Sequence, residues 1–122
     1  MRIIAVDDEM LALENIEEVL KEVFVDDNGK SLGEIRTFMK YKESLEYCDE
    51  MVEKGEKIDY AFLDIKMRGL LGIELAKMLK EKQPDIKVIF VTGYKEYSFD
   101  AFQIHASGYI CKPATKEQVE ST

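Results

Sequence analysis

Long apolar runs are missing from this sequence. None approaches the ~20 residues that a membrane-crossing helix needs, so no membrane span is expected. The first strand-like run starts at Arg2, which leaves no room for an export signal, and a cytoplasmic location is the expectation. Cysteine is scarce: Cys48 and Cys111 are the only two. A lone pair makes no disulfide framework and has no metal-ligand spacing, so both read as free thiols of a reducing compartment. The one histidine, His105, is separated from the acidic residues discussed below, which argues against a zinc site. Positive charge is also in deficit, 17 basic against 25 acidic residues, for a net charge of −8. Phosphate contacts need a basic surface, so this segment is not expected to bind nucleic acid directly. No glycine-rich loop follows the first apolar run, which removes the backbone cradle of a nucleotide site. Repeats and low-complexity tracts are absent.

What remains is a chain of 122 residues with 46% hydrophobic content, the size and composition of one folded domain. Short apolar runs recur: Ile3-Ile4-Ala5-Val6, Tyr60-Ala61-Phe62-Leu63, Val88-Ile89-Phe90-Val91 and Tyr109-Ile110-Cys111. They alternate with segments of helical spacing, such as Leu13, Ile16, Leu20 and Val23 between Glu9 and Phe24. That alternation reads as buried parallel strands joined by helices. The second strand, 35–38, carries Arg36 and Thr37 and belongs at an edge. Asp8 is read as a cap for the first helix, and Gly55 ends the second. Gly69 and Gly72 frame a mobile loop, and the fourth helix is expected over 96–107. Thr115 and Gln118 form a capping box that opens a fifth helix. That helix is expected to be cut short at Thr122, as in a fragment of a larger protein. Strand–helix repeated five times with right-handed crossovers gives an α/β, flavodoxin-like, doubly wound sheet. Five parallel strands in the order 2-1-3-4-5 would carry helices on both faces.

Polar residues follow each apolar run: Asp7-Asp8, Asp64, Thr92, and Lys112 before Pro113. In an open parallel sheet, sites form at the carboxyl ends of the strands. Strands one and three are neighbours in this topology, which sets Asp7 and Asp8 beside Asp64. Three carboxylates repel one another, and a hard divalent cation such as Mg2+ relieves that repulsion with oxygen ligands. Asp64 is placed to act as a nucleophile that accepts a phosphoryl group. Lys112 and Thr92 would then hold the phosphoryl oxygens, since phosphoryl transfer rests on positioning and charge neutralisation. Taken singly, each residue has a plainer role: Asp7-Asp8 as helix caps, Asp64 as a turn stabiliser, Lys112 as an exposed lysine. Pro113 either ends the last strand or aims Lys112 inward through a cis bond.

The stretches IIAVDDE, AFLDIKM, VIFVTGY and GYICKPA together resemble the response-regulator receiver domains of two-component signalling, across essentially the whole chain. The resemblance implies that Asp64 is the phosphoacceptor and that Asp7 and Asp8 form the Mg2+ pocket, Asp8 being the more direct ligand. It further implies metal coordination by the Lys66 carbonyl, phosphoryl binding by Thr92 and Lys112, and a cis bond before Pro113. A sensor histidine kinase would be the phosphodonor. Thr92 and the strand-five aromatic, Tyr109, would act as the switch that remodels the surface of the fourth helix, fifth strand and fifth helix. Apart from its own phosphorylation and dephosphorylation, such a domain catalyses nothing. Its partners would be a C-terminal output domain, transcriptional in such proteins, and a second copy through the fourth-helix face. The segment Ala101-Phe102-Gln103-Ile104-His105-Ala106, followed by Gly108-Tyr109, is similar to receivers joined to LytTR-type DNA-binding domains. Arg68 stands where the family often has proline. Lys66 and Tyr94 occupy positions that flank the phosphoryl group in this family, and they are expected to screen it from hydrolytic water.

Two rival readings remain. Haloacid-dehalogenase-like phosphatases use an aspartate after the first strand, which would make Asp7 the nucleophile, but Asp7-Asp8-Glu9 lacks their Asp-x-Asp spacing. A pseudo-receiver would use the same fold for protein contacts without phosphorylation.

Overall fold

The computed structural model describes all residues, 1–122. Its elements are β1 (Arg2–Val6), α1 (Met10–Val23), β2 (Glu34–Phe38), α2 (Tyr41–Glu53), β3 (Tyr60–Leu63), β4 (Lys66–Met67), β5 (Leu70–Leu71), α3 (Gly72–Lys82), β6 (Lys87–Thr92), α4 (Ser98–Gln103), β7 (Gly108–Cys111) and α5 (Lys116–Glu120). The main sheet has five parallel strands in the order β2-β1-β3-β6-β7. Counted along the chain, that is the expected 2-1-3-4-5.

Alternate side chains of the central strands feed two cores, because successive residues of a strand point to opposite faces. Ile4, Val6, Ala61, Leu63, Val88 and Phe90 pack with residues of α2 and α3 on one face. Ile3, Ala5, Phe62, Ile89 and Val91 pack with Leu13, Ile16 and Leu20 of α1 and Val119 of α5 on the other. Both faces are covered, which explains why the central strands read as unbroken apolar runs rather than alternating ones. β2 is the edge strand and its residues are partly exposed.

Several local expectations differ from the structure. Asp8 does not cap α1: Glu9 is the N-cap and its side chain makes no capping bond. The stretch between Gly69 and Gly72 is not a plain loop: it forms β5, which pairs antiparallel with β4 in a tight hairpin. Gly72 opens α3 where the chain passes close to the end of β3. A Cβ there would lie 2.0 Å from the Asp64 carbonyl oxygen, a distance no side chain tolerates, so glycine is required for the close approach. The fourth helix spans six residues, shorter than the 96–107 expected. The capping box of α5 is present, with the Thr115 hydroxyl accepting from the Gln118 amide.

Candidate functional site

Register places the acidic residues. Val6 pairs with Leu63 across β1 and β3, so Asp7 and Asp64 leave the sheet side by side. The Asp64 N–H donates to the Val6 carbonyl at 3.0 Å. Carboxylate oxygens of Asp7, Asp8 and Asp64 lie within 4.8 Å of one another. Asp7 and Asp64 are 5% and 4% exposed, whereas Asp8 is half-buried. One more strand over, Thr92 pairs with Cys111 across β6 and β7, and the Lys112 N–H donates to the Thr92 carbonyl at 3.0 Å. Lys112 therefore emerges at the same edge. Its Nζ lies 2.9 Å from Asp7 Oδ2 and 3.0 Å from Asp64 Oδ2. The Lys112–Pro113 peptide bond is cis.

The remaining lone pairs are largely used by the backbone. Asp7 Oδ1 accepts from the Glu9 N–H at 2.9 Å, and Asp64 Oδ1 from the Ile65 N–H at 2.8 Å. Asp8 Oδ2 accepts from the Arg68 N–H at 3.0 Å, a contact that ties the β4–β5 hairpin to the acidic pair. Thr92 is fully buried, and its Oγ1 accepts from the Tyr94 N–H at 3.3 Å. Tyr109 is half-buried, with its ring 6.3 Å from that of Phe90 and its hydroxyl donating to the Tyr94 carbonyl. Lys66 begins β4, and its ammonium sits 4.5 Å from the centre of the Tyr94 ring.

Electrostatics follow from this crowding. Burial pushes the Asp7 carboxyl above its ordinary range, and the Asp64 charge adds to the rise; the Glu9 N–H and Lys112 oppose it. For Lys112, burial acts to lower the pKa. Hydrogen bonds to Asp7 and Asp64 outweigh it, so the ammonium is held well above its usual value and stays charged. One ammonium thus serves two buried carboxylates, with Asp8 as a third acid at the same spot. This all-oxygen donor set suits a hard divalent cation with octahedral demands. His105 lies beyond α4 and belongs to no acidic cluster.

The structure adds partners that residue patterns did not mark. Glu9 Oε1 is 3.4 Å from Lys112 Nζ, a role hinted at only by its place next to the acidic pair. The amides of Ile65 and Arg68 act through the backbone, which every residue shares, so no residue type announces them.

A doubly wound sheet with acids, hydroxyl and lysine gathered at one carboxyl edge defines the class. Residues 3–122 match the response regulator receiver domain, and the chain belongs to that family of two-component systems. It is 31% identical over 123 residues to the sensory transduction protein LytT of Bacillus subtilis, covering 100% of this chain and 46% of LytT. It is 32% identical over 113 residues to the transcriptional regulatory protein BtsR of Escherichia coli, covering 85% of this chain and 46% of BtsR. The chain thus spans about half the length of these relatives. Among solved structures, the Thermotoga maritima response regulator TrrA, in complex with Mg2+ and BeF, superposes with a TM-score of 0.74 at 29% identity, covering 98% of this chain and 93% of that one. The similarity to LytT agrees with the LytTR-type resemblance of the segment around α4.

Proposed function

We propose that this chain is a phosphoacceptor switch in which Asp64 takes a phosphoryl group from a phosphohistidine of a sensor histidine kinase. One observation carries the reading: a buried Asp64 whose carboxylate is held 3.0 Å from the half-buried Lys112 ammonium and within 4.8 Å of Asp7 and Asp8. An Asp64 oxygen attacks phosphorus, the P–N bond breaks, and the imidazole leaves with a proton. The Lys112 ammonium, now shared by Asp7 and Asp64, pairs with a phosphoryl oxygen. Asp7, Asp8, Asp64 and the Lys66 carbonyl would hold Mg2+, which supplies charge neutralisation for the transferring group. Its catalysis is limited to its own phosphorylation and dephosphorylation.

Phosphorylation adds roughly 1.5 to 2 negative charges and new acceptor oxygens. The Thr92 hydroxyl exchanges its Tyr94 amide for the phosphoryl group, and Tyr109 gives up the Tyr94 carbonyl and turns inward. Both residues flank α4, so a local charge event resets the α4–β7–α5 surface. The name of BtsR, a transcriptional regulatory protein, and the greater length of both relatives support an output domain with a transcriptional role; we place that domain C-terminal to this one and the whole protein in the cytoplasm. Phe99 and Phe102 of α4, 67% and 76% exposed, offer that surface to a second copy or to the output domain. Near the site, Met10 and Leu11 are exposed beside a shallow depression shared with Lys112 and Pro113, a fit for a kinase helix.

Incubation with acetyl phosphate and Mg2+, followed by intact mass, tests the proposal. One added phosphoryl group is expected, and none in Asp64→Ala. Phosphorylation that survives Asp64→Ala but is lost in Asp7→Asn would favour the phosphatase-like alternative. No modification by acetyl phosphate or by kinase would leave a phosphorylation-independent interaction domain.

A further inference from the structure

Next to the carboxylate pocket, and sharing Asp8 with it, lies a cavity of about 540 Å³ between the β2–α2 turn and the β4–β5 hairpin. Tyr41 and Met67 supply apolar wall, and Asp8 closes one end. Met39 also lines it, and the other three residues are cationic: Lys40, Lys42 and Arg68. Acidic residues outnumber basic ones 25 to 17, yet none of the three joins an ion pair. Three like charges around one hollow repel one another, and Asp8 is the single acid set among them. Lys40 and Lys42 also stand at the N-terminal end of α2, where positive charge opposes the helix dipole, and Lys40 offers the helix no side-chain cap. An anion would relieve all of these costs at once. The volume lies within the range of small-molecule sites, which combine apolar walls with a few placed polar groups.

We infer that this cavity binds a small organic anion, with an apolar or aromatic body and a carboxylate or phosphate head. The body packs on Tyr41 and Met67. The head faces Arg68, whose planar guanidinium donates to two oxygens together, and the two lysines. The inference does not depend on phosphorylation of Asp64, which is not part of the cavity.

Phenyl phosphate titrated into this chain without Mg2+, followed by proton–nitrogen correlation NMR, provides the test. Saturable binding with a Kd below about 1 mM is expected, with perturbations centred on Lys40 to Lys42 and on Met67 and Arg68. All three cationic side chains are exposed, so a Lys40→Gln/Arg68→Gln variant should fold and should bind about tenfold more weakly or worse. Inorganic phosphate and benzyl alcohol, which keep only the head or only the ring, should each also lose about tenfold. Benzoate in parallel names the head group, since the tighter of benzoate and phenyl phosphate is the class preferred. The inference is overturned if phenyl phosphate fails to saturate by about 10 mM, or if perturbations centre on Asp64 and Lys112. Unchanged affinity in the double variant, or inorganic phosphate binding as tightly as phenyl phosphate, overturns it equally.

Discussion

Burial raises the Asp7 carboxyl above its ordinary 3.8, so the folded chain holds that proton more tightly than the unfolded chain does. By linkage, stability falls as pH rises through the window that starts near 3.8, and the full cost of the charged form is present at neutral pH. An Asp7→Asn variant removes that cost. Without divalent cation it should melt at a higher temperature than the parent at neutral pH, with the advantage shrinking as pH falls toward 3.8. Thermal melts across that pH range would show a pH-independent difference if the argument were wrong. A second prediction concerns Lys66 and Tyr94. Their cation–π contact, 4.5 Å from ammonium to ring centre, contributes about 0.5–1 kcal/mol at an exposed site. If it screens the phosphoryl group, Lys66→Asn and Tyr94→Ala should shorten the phospho-Asp64 half-life about two- to fivefold; unchanged decay would remove that role. At this scale Asp7, Asp8, Asp64, Thr92 and Lys112 were legible because each follows an apolar run that had to be a strand. The amide donors of Glu9, Ile65 and Arg68 were not, since a backbone N–H carries no signature of its residue.

Helix ends show how a terminus is chosen. α2 closes with Gly55 at φ +69°, where the Gly55 amide donates to Val52 and the Glu56 amide to Met51. α4 closes by the same pattern: the His105 amide donates to Phe102 and the Ala106 amide to Ala101. Here the left-handed position is held by His105, at φ +58°, which costs about 1 kcal/mol that glycine avoids. Glycine's greater freedom in the unfolded chain offsets part of the gain. His105→Gly should therefore stabilise the domain by about 0.5 kcal/mol, measured by urea denaturation; a clear loss of stability would show that the His105 side chain contributes packing. This closure also explains the short α4. Glycine was the expected stop signal, the first one available was Gly108, and the chain turned three residues earlier. The β4–β5 hairpin went unread because two-residue strands leave too few positions to show alternation.

At the scale of the molecule, three acids converge on one lysine, so the cation-free state keeps an unbalanced charge at the carboxyl edge of the sheet. Mg2+ that binds only the folded state stabilises it by mass action, about 1.4 kcal/mol at ten times its Kd, or roughly 5 °C in melting temperature for a domain of this size. The rise should vanish in Asp8→Asn, and an equal rise in that variant would place the metal elsewhere. The number, order and type of the main elements followed from the sequence itself. Apolar periodicity is local, and right-handed crossovers with short connections leave few ways to arrange the strands. Only the tertiary structure decided which groups touch: that Lys112 bridges Asp7 and Asp64, that Asp8 takes the Arg68 amide, and that three unpaired cations ring a hollow beside them. Those contacts join residues tens of positions apart. They depend on strand register, side-chain rotamers and the path of two short loops, none of which local periodicity encodes.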